Sequence, residues 1–187
     1  MPYQTMTIRK YFIAVFLLTS ATPATPAIAA TVATVATVAA RKVPAEFATI
    51  TIDRPAFYTA MQSENRDLIN QQLASLDSVP GDQGLAFRGA LTMKKAGVGG
   101  DPATKLSLFK KGRKMLEAAI SANPDNTEYR FLRLMIQEHT PGILGYKSDE
   151  EKDSEYIQKN FKSLPSAMQE KITEYSKKSK ILKLQFS

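Results

Sequence analysis

Apolar positions in this chain recur with the spacing of a helix over most of its length. From Asp53 onward, Phe57, Met61, Leu68, Ile69, Leu73 and Leu76 fall on one side of a 3.6-residue period and predict a helix over residues 53–76. Asp53-Arg54-Pro55 supplies its start, because proline in a first turn gives up an N–H that has no partner there. Val79-Pro80-Gly81-Asp82 supplies its stop. A second helix is predicted over 84–96, burying Leu85, Phe87, Ala90, Leu91 and Met93. Gly97-Val98-Gly99-Gly100 breaks the pattern. Asp101-Pro102 then opens a third helix with Leu106, Phe109, Leu116, Ala119 and Ile120 on its core face.

Residues 115–146 say most about architecture. Asn123-Pro124-Asp125-Asn126 is a turn between two helical patterns, and helices joined so tightly must lie back to back. In the fourth helix, over 127–140, Tyr129, Phe131, Leu132, Leu134, Met135 and Ile136 cover most of the circumference. A stripe through Arg130, Arg133 and Gln137 stays polar. So apolar a helix belongs at the centre of the domain. Thr140-Pro141-Gly142 ends it. Ser148-Asp149-Glu150-Glu151 has the S-x-x-E pattern of a capping box, opening a fifth helix that buries Ile157 and Phe161. Ser166 and Gln169 repeat that box at a sixth, with Met168, Ile172, Tyr175 and Leu182 in register. The expectation is an all-α domain over 53–187, of about six helices in antiparallel hairpins.

The N-terminus departs from this pattern. Arg9 and Lys10 precede the apolar run Tyr11 to Leu18, and Ala27-Ile28-Ala29 follows as a small-residue cleavage pattern, together predicting a signal peptide over 1–29. The run falls well short of the roughly 20 apolar residues a membrane span needs. Residues 30–52, which repeat Thr-Val-Ala three times, are expected to form a linker. Export, to the periplasm or the medium, is the predicted localisation.

Composition narrows the chemistry. The 187 residues contain no cysteine, which removes disulfides, thiol catalysis and thiolate metal sites. The formal charge of +7 becomes +5 once Arg9 and Lys10 leave with the leader. That is compatible with anionic surfaces or acidic proteins, while export and the lack of an aromatic-interleaved basic motif argue against nucleic acid. His139 is the single histidine and sits at a predicted helix end, where a cation suits the dipole. The adjacent Glu138 points elsewhere, so no acid orients it as a base. Asp149, Glu150, Glu151 and Asp153 lack the spacing of a calcium loop and are expected to be solvated at a helix start. Gly97 to Gly100 has no Gly-Lys-Ser/Thr ending and follows a helix, which makes it a linker. Neither a cofactor, a metal nor a catalytic set is expected, and the protein is expected not to be an enzyme.

Two candidate surfaces remain. Lys105, Lys110, Lys111, Arg113 and Lys114 crowd the third helix, as a solvated face or as a docking strip for an anionic surface. Arg130, Arg133 and Gln137 form the second, with Tyr146 beyond the Pro-Gly break. Guanidiniums on so apolar a helix require carboxylate or phosphate partners. Internal pairing with acids such as Glu117, Glu128 or Glu138 is favoured; the alternative is a groove gripping a partner's acidic group, with Tyr146 closing one edge.

Residues 116–126, LEAAISANPDN, resemble the end of a tetratricopeptide repeat, where a small-residue helix closes on an Asn/Asp-Pro-x-Asn turn. Glu128 to Leu134, with Ile136-Gln137-Glu138, Pro141 and Leu144-Gly145-Tyr146, also looks like a group of small helical proteins from Bacteroidota. The resemblances imply a tetratricopeptide-like or irregular helical bundle and no activity. The expected function is an exported binding or scaffold module contacting another envelope protein. The alternative is a carrier of a lipid or other apolar small molecule between helices.

Overall fold

A computed structural model describes residues 51–184; the predicted leader and all but the last two residues of the linker lie outside the described residues. Among the described residues the structure is all-helical, with no strand. Seven α-helices follow in order: α1 (Arg54–Gln62), α2 (Arg66–Leu76), α3 (Gly81–Gly97), α4 (Pro102–Ala122), α5 (Thr127–His139), α6 (Glu150–Asn160) and α7 (Ser166–Ser176). Short 3-10 turns stand at Gly142–Leu144 and Phe161–Ser163.

Polar side chains set the helix starts. Asp53 accepts from the Ala56 N–H, Asp101 from Thr104 and Asn126 from Tyr129, each meeting one of the orphan donors of a first turn. The one helix expected over 53–76 is two. Ser63 is extended, its hydroxyl accepts from the Asn65 N–H, and the Asn65 side chain accepts from Asp67 and Leu68. These local bonds compete with the helical ladder and restart it. Periodicity missed the break because Met61 and Leu68, seven apart, stay in phase across it.

Neither expected capping box forms. The Ser148 hydroxyl bonds Asp149, and α6 starts with no side-chain cap. Ser166 is the first residue of α7 and caps nothing, while Gln169 donates to the Leu164 carbonyl. The last helix ends at Ser176, so Leu182 reaches the core from a non-helical tail instead of from helical register.

The helices close around α5, nine of whose thirteen residues are buried, as its composition predicts. Phe57, Phe87, Phe131, Leu116, Ile157, Ile172 and Leu182 form one core with it, drawn from six helices and the tail. The closest approach is between α3 and α4. A Cβ on Gly89 would lie 2.7 Å from the Leu116 nitrogen and 2.8 Å from the Gly112 oxygen; one on Gly112 would lie 2.5 Å from the Gly89 oxygen. Only hydrogen fits there, so the two backbones pack directly.

Candidate functional site

The polar stripe of α5 is the start of a buried charge network. Arg133, 7% exposed, meets Asp153 of α6, 0% exposed, in a two-pronged pair: Nε to Oδ2 at 2.7 Å and Nη2 to Oδ1 at 2.8 Å. Its third nitrogen, Nη1, donates to Glu117 of α4 at 2.9 Å. Arg130 reaches the same Asp153 at 3.1 Å, bonds the Pro124 carbonyl at 2.8 Å, and lies 4.3 Å over the Tyr156 ring. Tyr146 donates to the second oxygen of Glu117 at 2.5 Å, and Arg113 stacks 4.7 Å above its ring. A planar guanidinium fits this arrangement because its donors match a carboxylate fork.

Electrostatics follow from the geometry. Burial alone would lower the Arg133 pKa, but its hydrogen bonds to Asp153 and the charges of Asp153, Glu117 and Asp149 outweigh that and push it up. Burial, followed by the bond to Glu117, raises the Tyr146 phenol and keeps it a donor. The network thus brings Arg130, Arg133 and Tyr146 together around acids of the chain itself. Glu117 is among the partners the sequence suggested. Asp153 is a correction: instead of solvating a helix start, it is the fully buried hub of two arginines. Its position four residues into α6, directed inward, was hidden by three neighbouring acids.

Gln137 ends the stripe differently. It is 0% exposed, and neither its Nε2 nor its Oε1 has a hydrogen-bond partner among the described residues. The other two suggested acids serve elsewhere. Glu128 takes Arg54 of α1 at 2.8 Å and the Tyr58 hydroxyl at 3.2 Å. Glu138 accepts from the Tyr175 and Ser179 hydroxyls at 2.6 and 2.7 Å and from the N–H groups of Lys180 and Ile181 at 2.7 and 3.2 Å. Burial alone would raise the Glu138 pKa; those four donors outweigh it and hold the carboxyl below the usual range.

On the other side of α5 lies a groove of about 1230 Å³, which no sequence pattern announced. Met61, Met93, Phe109, Met135 and Ile136, all buried, lie along its floor, and Tyr175 forms one wall. Leu106, 41% exposed, and Ile143, 95% exposed, stand at its lip. Leu106 is a second correction, since its spacing predicted a core position. It lies on the flank of α4, where the groove leaves it without a neighbour to cover it. Lys105, Lys178 and Lys180 complete the lining on the basic side. The acids there are engaged: Glu64 by Lys94 at 2.7 Å, Glu174 by Lys171 at 3.3 Å, and Glu138 by its four donors. His139 borders the groove too, its Nδ1 bonding the Met135 carbonyl at 2.9 Å within its own helix.

Among the described residues no three His, Asp or Glu side chains gather as metal donors, and no helix is long and apolar enough to cross a membrane. Lys110, Lys111, Arg113 and Lys114 are exposed on α4, and Lys105 is half-buried at its groove flank. No protein-family model matches the chain, no curated protein matches it, and no solved structure matches its fold.

Proposed function

We propose that this protein is a non-enzymatic, exported helical module, related to tetratricopeptide hairpins, whose groove holds an amphipathic segment of another envelope protein. The groove carries the reading. Its floor of three methionines with Phe109 and Ile136 suits a partner that must be accommodated by repacking, as adaptable Met-rich surfaces do. At about 1230 Å³ it exceeds the roughly 300–1,000 Å³ that small-molecule pockets occupy. Lys105, Lys178 and Lys180, which form no ion pair among the described residues, favour a segment with an acidic flank. Export rests on the leader pattern of residues 1–29.

A photo-reactive amino acid placed at Leu106 tests the reading in the native cell. The expected result is a crosslink to one protein, suppressed when Ile143 is replaced by Glu. A second reading, a carrier of an apolar small molecule, is favoured by the largely apolar floor. Native mass spectrometry separates the two: a co-purifying apolar adduct, with no protein crosslink, would establish the carrier and overturn the module.

A further inference from the structure

We propose that the outer side of α4, together with Ile143, docks this protein onto an anionic lipid bilayer surface. Leu106, Lys110, Arg113 and Lys114 are spaced by three and four residues and share one side of α4, with Lys111 flanking them. Arg113 stacks over Tyr146 at 4.7 Å, and Phe109 meets the same ring edge-on at 5.6 Å, so the segment carrying Ile143 is seated against this side. The 3-10 turn Gly142–Leu144 is fixed at both ends. Pro141 precedes it, and Gly145 closes it in the left-handed region at φ 58°, directly before the buried Tyr146. An isoleucine 95% exposed on a turn so well braced is held outward by the fold.

The charges around it are open. Among the described residues none of Lys110, Lys111, Arg113 and Lys114 forms an ion pair with a carboxylate, and the nearest acid along the helix, Glu117, is taken by Arg133 and Tyr146. The residue types favour lipid over protein. Protein interface cores are depleted in lysine and anchored by aromatic residues, whereas the exposed large hydrophobic residues described here are Leu106 and Ile143, both aliphatic. Lysine is a point charge without fork geometry, suited to phosphate headgroups that move to meet it. An aliphatic tip beside it reaches the boundary between headgroups and acyl chains. Leu106 and Ile143 line the groove as well, whereas Lys110 and Lys114 do not, so the double lysine variant reads this inference separately from the groove reading.

Co-sedimentation of the full chain with vesicles of phosphatidylcholine, alone or mixed with phosphatidylglycerol, tests it. The quantity read is the excess of binding to the anionic vesicles, compared between wild type and variants so that the apolar N-terminal run and the adjacent Arg9 and Lys10 contribute equally to both. That excess should fall by about 25-fold or more in the double variant Lys110→Glu, Lys114→Glu, at about fivefold for each lysine near a charged surface. It should fall steeply as salt rises and screening shortens. Ile143→Ser should also lower it with the helical circular-dichroism spectrum unchanged. An absent excess would overturn the proposal, as would one that the double variant leaves intact. Binding of polyglutamate that the double variant abolishes, without a vesicle excess, would overturn it in favour of an acidic protein.

Discussion

Arg133 is a charge largely shielded from water, and its five donors decide what the position tolerates. Cutting the side chain back would leave Asp153 buried and facing only Arg130, and leave Glu117 with Tyr146 alone. Breaking a buried pair from one side costs about 3–5 kcal/mol. Arg133→Ala should therefore lower stability by that amount in chemical denaturation. The joint change Arg133→Met, Asp153→Leu should recover most of it, since no fully buried charge is then left opposite an apolar side chain. Gln137 predicts the opposite sign. Its amide is buried without a partner among the described residues, so Gln137→Met, close in volume, should leave stability unchanged or raise it by about 1 kcal/mol; a clear loss would show that the amide is engaged. The sequence exposed the arginines because polar residues stood out on an apolar helix. It hid Asp153, because an acid near a helix start has an ordinary explanation in the helix dipole and nothing local reveals which acid faces inward.

At the scale of elements, the contact of α3 with α4 rests on two glycines that helical propensity would count as defects. Gly112→Ala gains about 1 kcal/mol of propensity but drives a methyl group into the Gly89 carbonyl and into Met93. Backbone cannot step aside as a side chain can. The expected outcome is a net loss of about 1–3 kcal/mol, read as a lowered melting temperature. The tail after α7 is secured by electrostatics. The Glu138 pKa is lowered in the folded protein, so its contribution is fully present above the carboxyl's unfolded value and is lost as pH falls through the folded one. Protection of the Lys180 and Ile181 amides, measured relative to their intrinsic exchange at each pH, should accordingly fall in acid, and Glu138→Gln should show lowered protection already at neutral pH. Helix positions were legible wherever apolar residues kept a 3.6-residue period. The break between α1 and α2 was not, since it is made by Ser63 and Asn65 within an unbroken phase. Nor was the end of α7: Leu182 is as apolar and as buried as a helical residue would be.

Across the whole molecule, aromatic rings link the layers. Phe87 meets Phe57 at 4.6 Å, Tyr58 beside it meets Phe131 at 6.1 Å, and Phe131 meets Tyr175 at 5.4 Å, joining α3, α1, α5 and α7. Leu182 belongs to the same core although it lies outside every helix. Leu182→Ala should therefore cost about 2–5 kcal/mol and shift a single cooperative transition, not detach a local segment. Two separate transitions in calorimetry would contradict that. The all-α class followed from patterning, whereas the groove depends on how α1, α3, α4, α5, α7 and the tail meet. Helical spacing assigned Leu106 to the core because it records which side of a helix is apolar, not whether another element arrives to cover it.

The meeting of Gly89 and Gly112 also bears on how this molecule can move. Most helix pairs slide by letting side chains hop between rotamers, which gives shear its small steps. Here backbone meets backbone at the two glycines, with the side chains of Met93 and Leu116 close beside them, so α3 and α4 have little room to glide. Widening of the groove to admit an occupant is then expected from displacement of α7 and the tail after it, while α3 and α4 travel as one strut. Hydrogen exchange should find the amides around this crossing among the last in the chain to open.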